Sequence, residues 1–372
     1  MQTTHDRLRP PSDDPGGRRR ANALDDALDR LSRYAYVDGP GLATHGPMGA
    51  EALSSLGHDD LVAPWVEQYK VRHQVIPAPS PTARLDPGDE SSWRIALGDP
   101  SRLSDWAALF AGELKDRPWP EVIAAWVPRL LPGYAGAFTH GLIRTAHAVR
   151  AAQTTADPSP LAVAELAKAL AFWAGSYKTL PGRPTLGGAR SLDEAVARLP
   201  RPQDPWTPIE AGMFSRIGEL RPFGDAIEAL GPPASIDDAL SELTSTFARM
   251  MLANPDAQAI GLVHAVTPVA GARTLLGYLP TVSIQQMYAQ LWQVDAAIAA
   301  GFIRVPHREA TTRADGQHVE APSPAELVAR AAEHKDPHVV KFTEACLREH
   351  ALRPDPAYLH AAQHVIAKTP AW

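Results

Sequence analysis

A chain of 372 residues, 45% of them hydrophobic, can bury a sizeable core as one large domain or two smaller ones. Its net charge of −6, with acids and bases interspersed, offers no basic stripe for nucleic acid, and no run approaches the roughly 18 consecutive apolar residues of a membrane span. A single cysteine, Cys346, excludes an intrachain disulfide, a thiol redox pair and cysteine-ligated metal, and points to a reducing, cytoplasmic setting.

Residues 1–20, rich in Pro, Gly and Arg without periodicity, read as a disordered tail. Arg18-Arg19-Arg20 is followed by an amphipathic acidic segment, so it is no export signal. Residues 21–372 read as helical throughout. Behind Asn22, the positions Leu24, Ala27, Leu28 and Leu31 repeat at helical spacing. A helix is expected from Pro47 to Gly57, and Pro64 looks like the start of the next. Ser101 looks like the cap of a helix carrying Leu103, Trp106, Leu109 and Phe110, and Pro118 or Pro120 opens another. Then follow residues 139–150, Leu161–Tyr177, Ile236–Leu252, Ala257–Leu276, Val282–Ala300, Pro324–Ala332, Pro337–His350 and Pro356–Ile366. Alternating strand patterns are almost absent. The expectation is an all-α fold: a single large globular bundle of about a dozen or more helices. Three proline-rich connectors, Ile76–Ser92, Leu180–Pro208 and Val305–Pro324, have the length of lids or binding loops. No internal repeat and no sharp composition break divides the chain.

Fourteen histidines are present, and five stand apart. His45 sits beside Gly46 at a helix entry. His140 and His147 are seven residues apart, near two helical turns, so both rings leave one face of a helix relieved by Gly141, Ala146 and Ala148. His264 lies in an almost wholly apolar run. His338 precedes Lys341 by three residues, on the same helical face. Burying several imidazoles and a lysine together is costly unless something satisfies them, and one metal ion does so in a single event. Lys341 reads in two ways. It is either a lysine snorkelling from an apolar face or an amine kept neutral by burial, and a neutral amine can add carbon dioxide to become a carbamate oxygen ligand.

These residues and their order resemble the questin oxidase-like family. The resemblance runs over nearly the whole chain from about residue 22. It rests on Thr44-His45-Gly46-Pro47-Met48, Trp126-Val127-Pro128-Arg129-Leu130-Leu131-Pro132-Gly133, and His140-Gly141-Leu142-Ile143-Arg144 with His147. Glu165-Leu166-Ala167 with Phe172-Trp173-Ala174, His264-Ala265-Val266-Thr267, and Asp336-Pro337-His338-Val339-Val340-Lys341 complete it. Each motif alone is weak; their number and order are specific. The resemblance implies oxygenases that open a ring of anthraquinones and related aromatic polyketides, by dioxygenase or Baeyer–Villiger-type chemistry in natural-product biosynthesis. It further implies a non-haem Fe(II) held by four histidines and a carboxylated lysine. Carried onto this chain, the metal ligands are His45, His140, His264, His338 and Lys341 as its carbamate. His147 is the reserve for His140. One departure stands out: Pro337 replaces the glutamate common before the last histidine, and proline is tolerated in a first helical turn.

Four imidazoles and one carbamate leave one position of an octahedral Fe(II) open. An electron-rich hydroquinone can itself supply electrons to dioxygen, so a separate reductant is unnecessary for cleavage, while NADPH remains compatible as an external reductant. No Gly-x-Gly-x-x-Gly follows a strand, which weighs against a conventional flavin enzyme. The catalytic candidates are Arg144, to hold a phenolate or else to pair with Glu165, and His147. Trp106, Trp126, Trp173, Tyr177 and Trp292 are available to stack on fused rings. The expected partners are a small aromatic polyketide and dioxygen, with no nucleic acid and no membrane; a homodimer is a candidate assembly. Two other readings compete. His58-Asp59 is the kind of pair used by helical metal-dependent phosphohydrolases, and a non-catalytic helical binding protein would hold no transition metal.

Overall fold

Hydroxyl and carboxylate caps, several of them followed by proline, set seven of the helix starts. Asp89, Ser159, Ser191, Ser235, Ser323, Asp336 and Asp355 each accept a backbone N–H at the mouth of a helix. The computed structural model describes residues 15–34, 37–38, 42–73, 78–203, 206–212, 214–303 and 320–370. His5, His307, His318 and most of the connector after Val305 lie outside the described residues. Among the described residues the fold is all-α, apart from a ribbon of two short strands, β1 (Val37–Asp38) and β2 (Leu42–Ala43).

The chain forms two compact units. The first runs to Lys178 and includes Gly271–Pro280. It carries α1 (Pro15–Arg30), α2 (Gly46–Ser55), α3 (Asp59–Arg72), α4 (Glu90–Arg94), α5 (Leu103–Asp116), α6 (Trp119–Leu130), α7 (His140–Ala152) and α8 (Pro160–Gly175). The expected tail is helical from Pro15. Arg20 on α1 donates to Glu51 (2.8 Å) and to Ser55 Oγ (2.6 Å), and these tertiary bonds extend the helix beyond the Asn22 that local pattern favours. Pro64 lies inside α3 instead of opening it, because acidic Asp59 and Asp60 begin the helix earlier. Asp99, not Ser101, caps the turn leading into α5.

The second unit holds Thr179–Ala270 and Thr281–Trp372. It carries α9 (Leu192–Ala197), α10 (Pro208–Gly212), α11 (Phe223–Glu228), α12 (Ile236–Ala253) and α13 (Ala259–Leu262). From the same part of the chain comes the start of α14 (Thr267–Leu276), then α15 (Thr281–Phe302), α16 (Pro324–Glu333), α17 (Pro337–Leu352) and α18 (Pro356–Lys368). The expected single helix over 257–276 is broken by a 3-10 turn at Val263–Ala265 that carries His264. Composition does not mark the division into units, since both are helical with apolar cores. The stretch Ala259–Leu276 is long and apolar enough to cross a membrane, but 78% of it is buried within the protein.

Candidate metal centre

In the first unit, α2 and α7 each present one histidine. His45 is the residue from which α2 springs, and its backbone N–H donates to the Tyr69 hydroxyl at 3.0 Å. His140 opens α7. The two rings meet edge to face, with Nε2 to Nε2 at 2.9 Å. His140 Nδ1 lies 2.7 Å from the Ala137 carbonyl, which can only accept, so Nδ1 carries the proton and Nε2 the lone pair. The carbonyl is aimed by an unusual run: Ala137, Phe138 and Thr139 have φ of 45°, 53° and 69°. Left-handed backbone at non-glycine residues costs on the order of 1–3 kcal/mol each and persists only where the surroundings impose it. Here they do. Lys178 N–H donates to the Gly133 carbonyl at 2.9 Å, and a Cβ on Gly136 would stand 1.5 Å from the Ser176 carbonyl, so the loop lies flat on the end of α8.

In the second unit, His264 and His338 pack edge to face with ring centroids 5.5 Å apart. His264 Nδ1 donates to the Ile260 carbonyl (2.8 Å), and His338 Nδ1 to Asp336 Oδ1 (3.0 Å). Desolvation lowers the His338 pKa, helped by the nearby Lys341 charge and opposed by Asp336, so the ring is neutral. Burial would raise the Asp336 carboxyl, but the hydrogen bonds it accepts from His338, helped by the nearby Lys341, bring it below the usual value. Lys341 follows one turn along α17. It is 2% exposed, and burial brings its amine down to about 7, with Asp336 offsetting only part of that.

Three of the four rings are therefore set in one way. His140, His264 and His338 each tie Nδ1–H to a fixed acceptor, two carbonyls and one carboxylate, and each keeps its lone pair on Nε2. That outer-shell arrangement is the one metal-ligating histidines use. The His45–His140 spacing fits as well: two imidazole nitrogens about 2.1 Å from one ion at a right angle stand about 3 Å apart. In the absence of metal the same spacing suits a hydrogen bond from His45 Nε2–H to His140 Nε2.

His147 is not part of this pairing. Its Nδ1 donates to Glu51 Oε2 at 2.6 Å, in a buried cluster with Arg150 and Arg20. Burial works to raise the Glu51 carboxyl, but Arg150, His147 and Arg20 overcome it and hold it well below the usual range. Between the two candidates on α7, the structure brings His140 and not His147 to His45.

Arg144 takes the partner expected as the alternative to a substrate oxygen. Its Nε and Nη2 donate to the two oxygens of Glu165 at 2.7 and 3.0 Å, and both residues are buried. Arg144→Met alone should cost about 3–5 kcal/mol by stranding Glu165, and Arg144→Met with Glu165→Leu should recover most of it, read by urea unfolding. An Arg144→Met variant that keeps full stability would contradict this structural role.

The aromatic candidates separate in the same way. Trp106, Trp126 and Trp292 are fully buried and donate their N–H to the Ala96 carbonyl, to Glu113 and to the Ile227 carbonyl, so they are core. Asp59 accepts from Ser54 at 2.5 Å and faces Arg19 at 3.6 Å, so the His58-Asp59 pair serves the start of α3. Two features were not singled out from the sequence: the left-handed run before His140 and Asp295. Asp295 lies on α15, wholly buried, and burial pushes its carboxyl well above the carboxylate range.

A family model described as questin oxidase-like matches residues 59–346, which include His140, His264, His338 and Lys341. His45 lies before the matched span, which is shorter than the resemblance suggested. No curated protein matches the chain.

Proposed function

The chain belongs to the questin oxidase-like family and is an oxidoreductase of the oxygenase type acting on a small molecule; on that premise we propose that it is a non-haem iron oxygenase that opens a ring of an anthraquinone-like aromatic polyketide. The observation that carries the reading is the shared tautomer of His140, His264 and His338, each locked with its lone pair on Nε2. The proposed ligands are those the family resemblance implies: His45, His140, His264, His338 and Lys341. Fe(II) bound there supplies one-electron exchange with dioxygen.

The chain's own residues do the rest. An amine brought down to about 7 is neutral in about half of the molecules at neutral pH. Its lone pair attacks the carbon of carbon dioxide, a C=O electron pair moves to oxygen, and one proton leaves. The product is a carbamate anion among neutral imidazoles. Asp336 holds the His338 ring through Nδ1, and the Ala137 and Ile260 carbonyls hold the other two, so no ring flips when the pocket fills. The electrons come from a hydroquinone form of the substrate, so any NADPH requirement lies in making that hydroquinone.

The test uses protein purified without added metal. It should carry about one iron per chain, and it should take up dioxygen when an anthrahydroquinone is supplied anaerobically and air is then admitted, with ¹⁸O from labelled dioxygen in the ring-opened product. A redox-silent metal, or uptake without label in the product, would sink the reading.

A further inference from the structure

The N-terminal end of α7 holds two donors that the metal reading does not use. Thr139 is the residue from which this 13-residue helix springs, yet its hydroxyl does not cap it. Thr139 is 0% exposed, and its Oγ1 has no hydrogen-bond partner among the described residues. Trp173 on α8 is also 0% exposed, and its indole N–H likewise has none among them. The indole lies against the first turn of α7: a Cβ on Gly141 would stand 2.7 Å from Trp173 Cγ. Trp106, Trp126 and Trp292 each give their N–H to an oxygen, whereas the indoles of Trp65 and Trp206 are unmatched among the described residues, as that of Trp173 is. A buried donor left unmatched costs about 1–3 kcal/mol, and two at one helix end are not explained by packing. Both sit where the first amides of α7 and its dipole favour negative charge. The left-handed Thr139 followed by right-handed His140 also turns successive N–H groups toward one side.

We propose that Thr139 and Trp173 form an oxyanion subsite at the start of α7 that receives an ionised phenol oxygen of the aromatic substrate. The inference deepens the proposed function and rests on its substrate class. Held at the subsite, the phenolate is next in sequence to His140, and the electron-rich ring is oriented before any oxygen chemistry begins.

The experiment measures binding to the metal-free protein, with 2-hydroxyanthraquinone and unsubstituted anthraquinone as probes. The visible absorption of the former reports ionisation of its phenol. Wild type should bind the hydroxylated probe about tenfold more tightly and lower the pH at which the bound phenol ionises by about a unit. Thr139→Val and Trp173→Phe should each lose several-fold affinity for the hydroxylated probe and none for anthraquinone, and the phenol should titrate back toward its solution value. The double variant should depart from the product of the two, because two donors on one oxygen are coupled. Unchanged ionisation in both variants overturns the subsite while leaving the substrate class standing, and so do equal losses for both probes or strictly multiplicative losses. A wild type that binds neither quinone overturns the substrate class and the subsite together.

Discussion

His140→Ala should lose its iron and its ring-opening activity, while His147→Ala should keep both. The two histidines lie on one helix, and local sequence does not rank them. Their surroundings do. His140 Nε2 stands 2.9 Å from His45 Nε2, with its proton fixed on Nδ1 by the Ala137 carbonyl. His147 is committed through Nδ1 to Glu51, which also faces Arg150 and Arg20. Loss of His140 would remove one of the proposed ligands, so the fall in activity should exceed the 10–100-fold typical of outer-shell changes. Loss of His147 takes one hydrogen bond from a carboxylate that retains two guanidinium partners, and should cost about 1–3 kcal/mol of stability with the metal retained. Iron per chain by elemental mass spectrometry, alongside unfolding midpoints, separates the two. Full iron occupancy in His140→Ala would remove this histidine from the ligand set.

Periodicity is the strongest local signal, and it found nearly every long helix here to within a few residues. Pro337–Leu352 and Pro356–Lys368 begin where a cap and a proline announce them. Legibility failed where tertiary contacts outweigh local preference. The start of α1 at Pro15 depends on Arg20 reaching Glu51 and Ser55, partners more than thirty residues away. The break at His264 interrupts a run whose composition is evenly apolar. The loop before His140 adopts positive φ at alanine, phenylalanine and threonine, types that carry no such preference, because Gly133 and Gly136 let it lie against the end of α8. Of the site, residue types and helical faces were readable: His338 and Lys341 share a face by spacing alone. Partner choice was not. That Arg144 belongs to Glu165 and His147 to Glu51 depends on which helices pack, and one sequence does not state that.

Lys341→Met should abolish iron binding and yet make the metal-free protein more stable near neutral pH. The amine titrates at about 7 in the folded protein against 10.5 ordinarily. Between those values the unfolded chain binds a proton that the folded chain does not, so stability of the metal-free wild type climbs with pH across that window. Below about pH 7 both states are protonated, and the penalty of burying the ammonium is present in full. Each unit of pKa difference corresponds to about 1.4 kcal/mol, so the penalty is on the order of a few kcal/mol. Methionine fills a similar volume without charge, so the variant should gain about that much at pH 6.5 and show no such slope up to pH 10 in urea unfolding. Carbon dioxide supplies the second arm. Wild type held under nitrogen in carbonate-free buffer should lose iron, and bicarbonate should restore it; Lys341→Met should respond to neither. The two arms are independent, because the slope reports a buried amine and the bicarbonate response reports its carbamate. Persistence of the slope in Lys341→Met would place the titrating group elsewhere. A wild type indifferent to bicarbonate would leave the lysine buried but uncarboxylated, and the proposed iron site with neutral ligands alone. A ferrous ion with no anionic ligand keeps its full double charge in a buried site, which is the arrangement that burial of charge most disfavours.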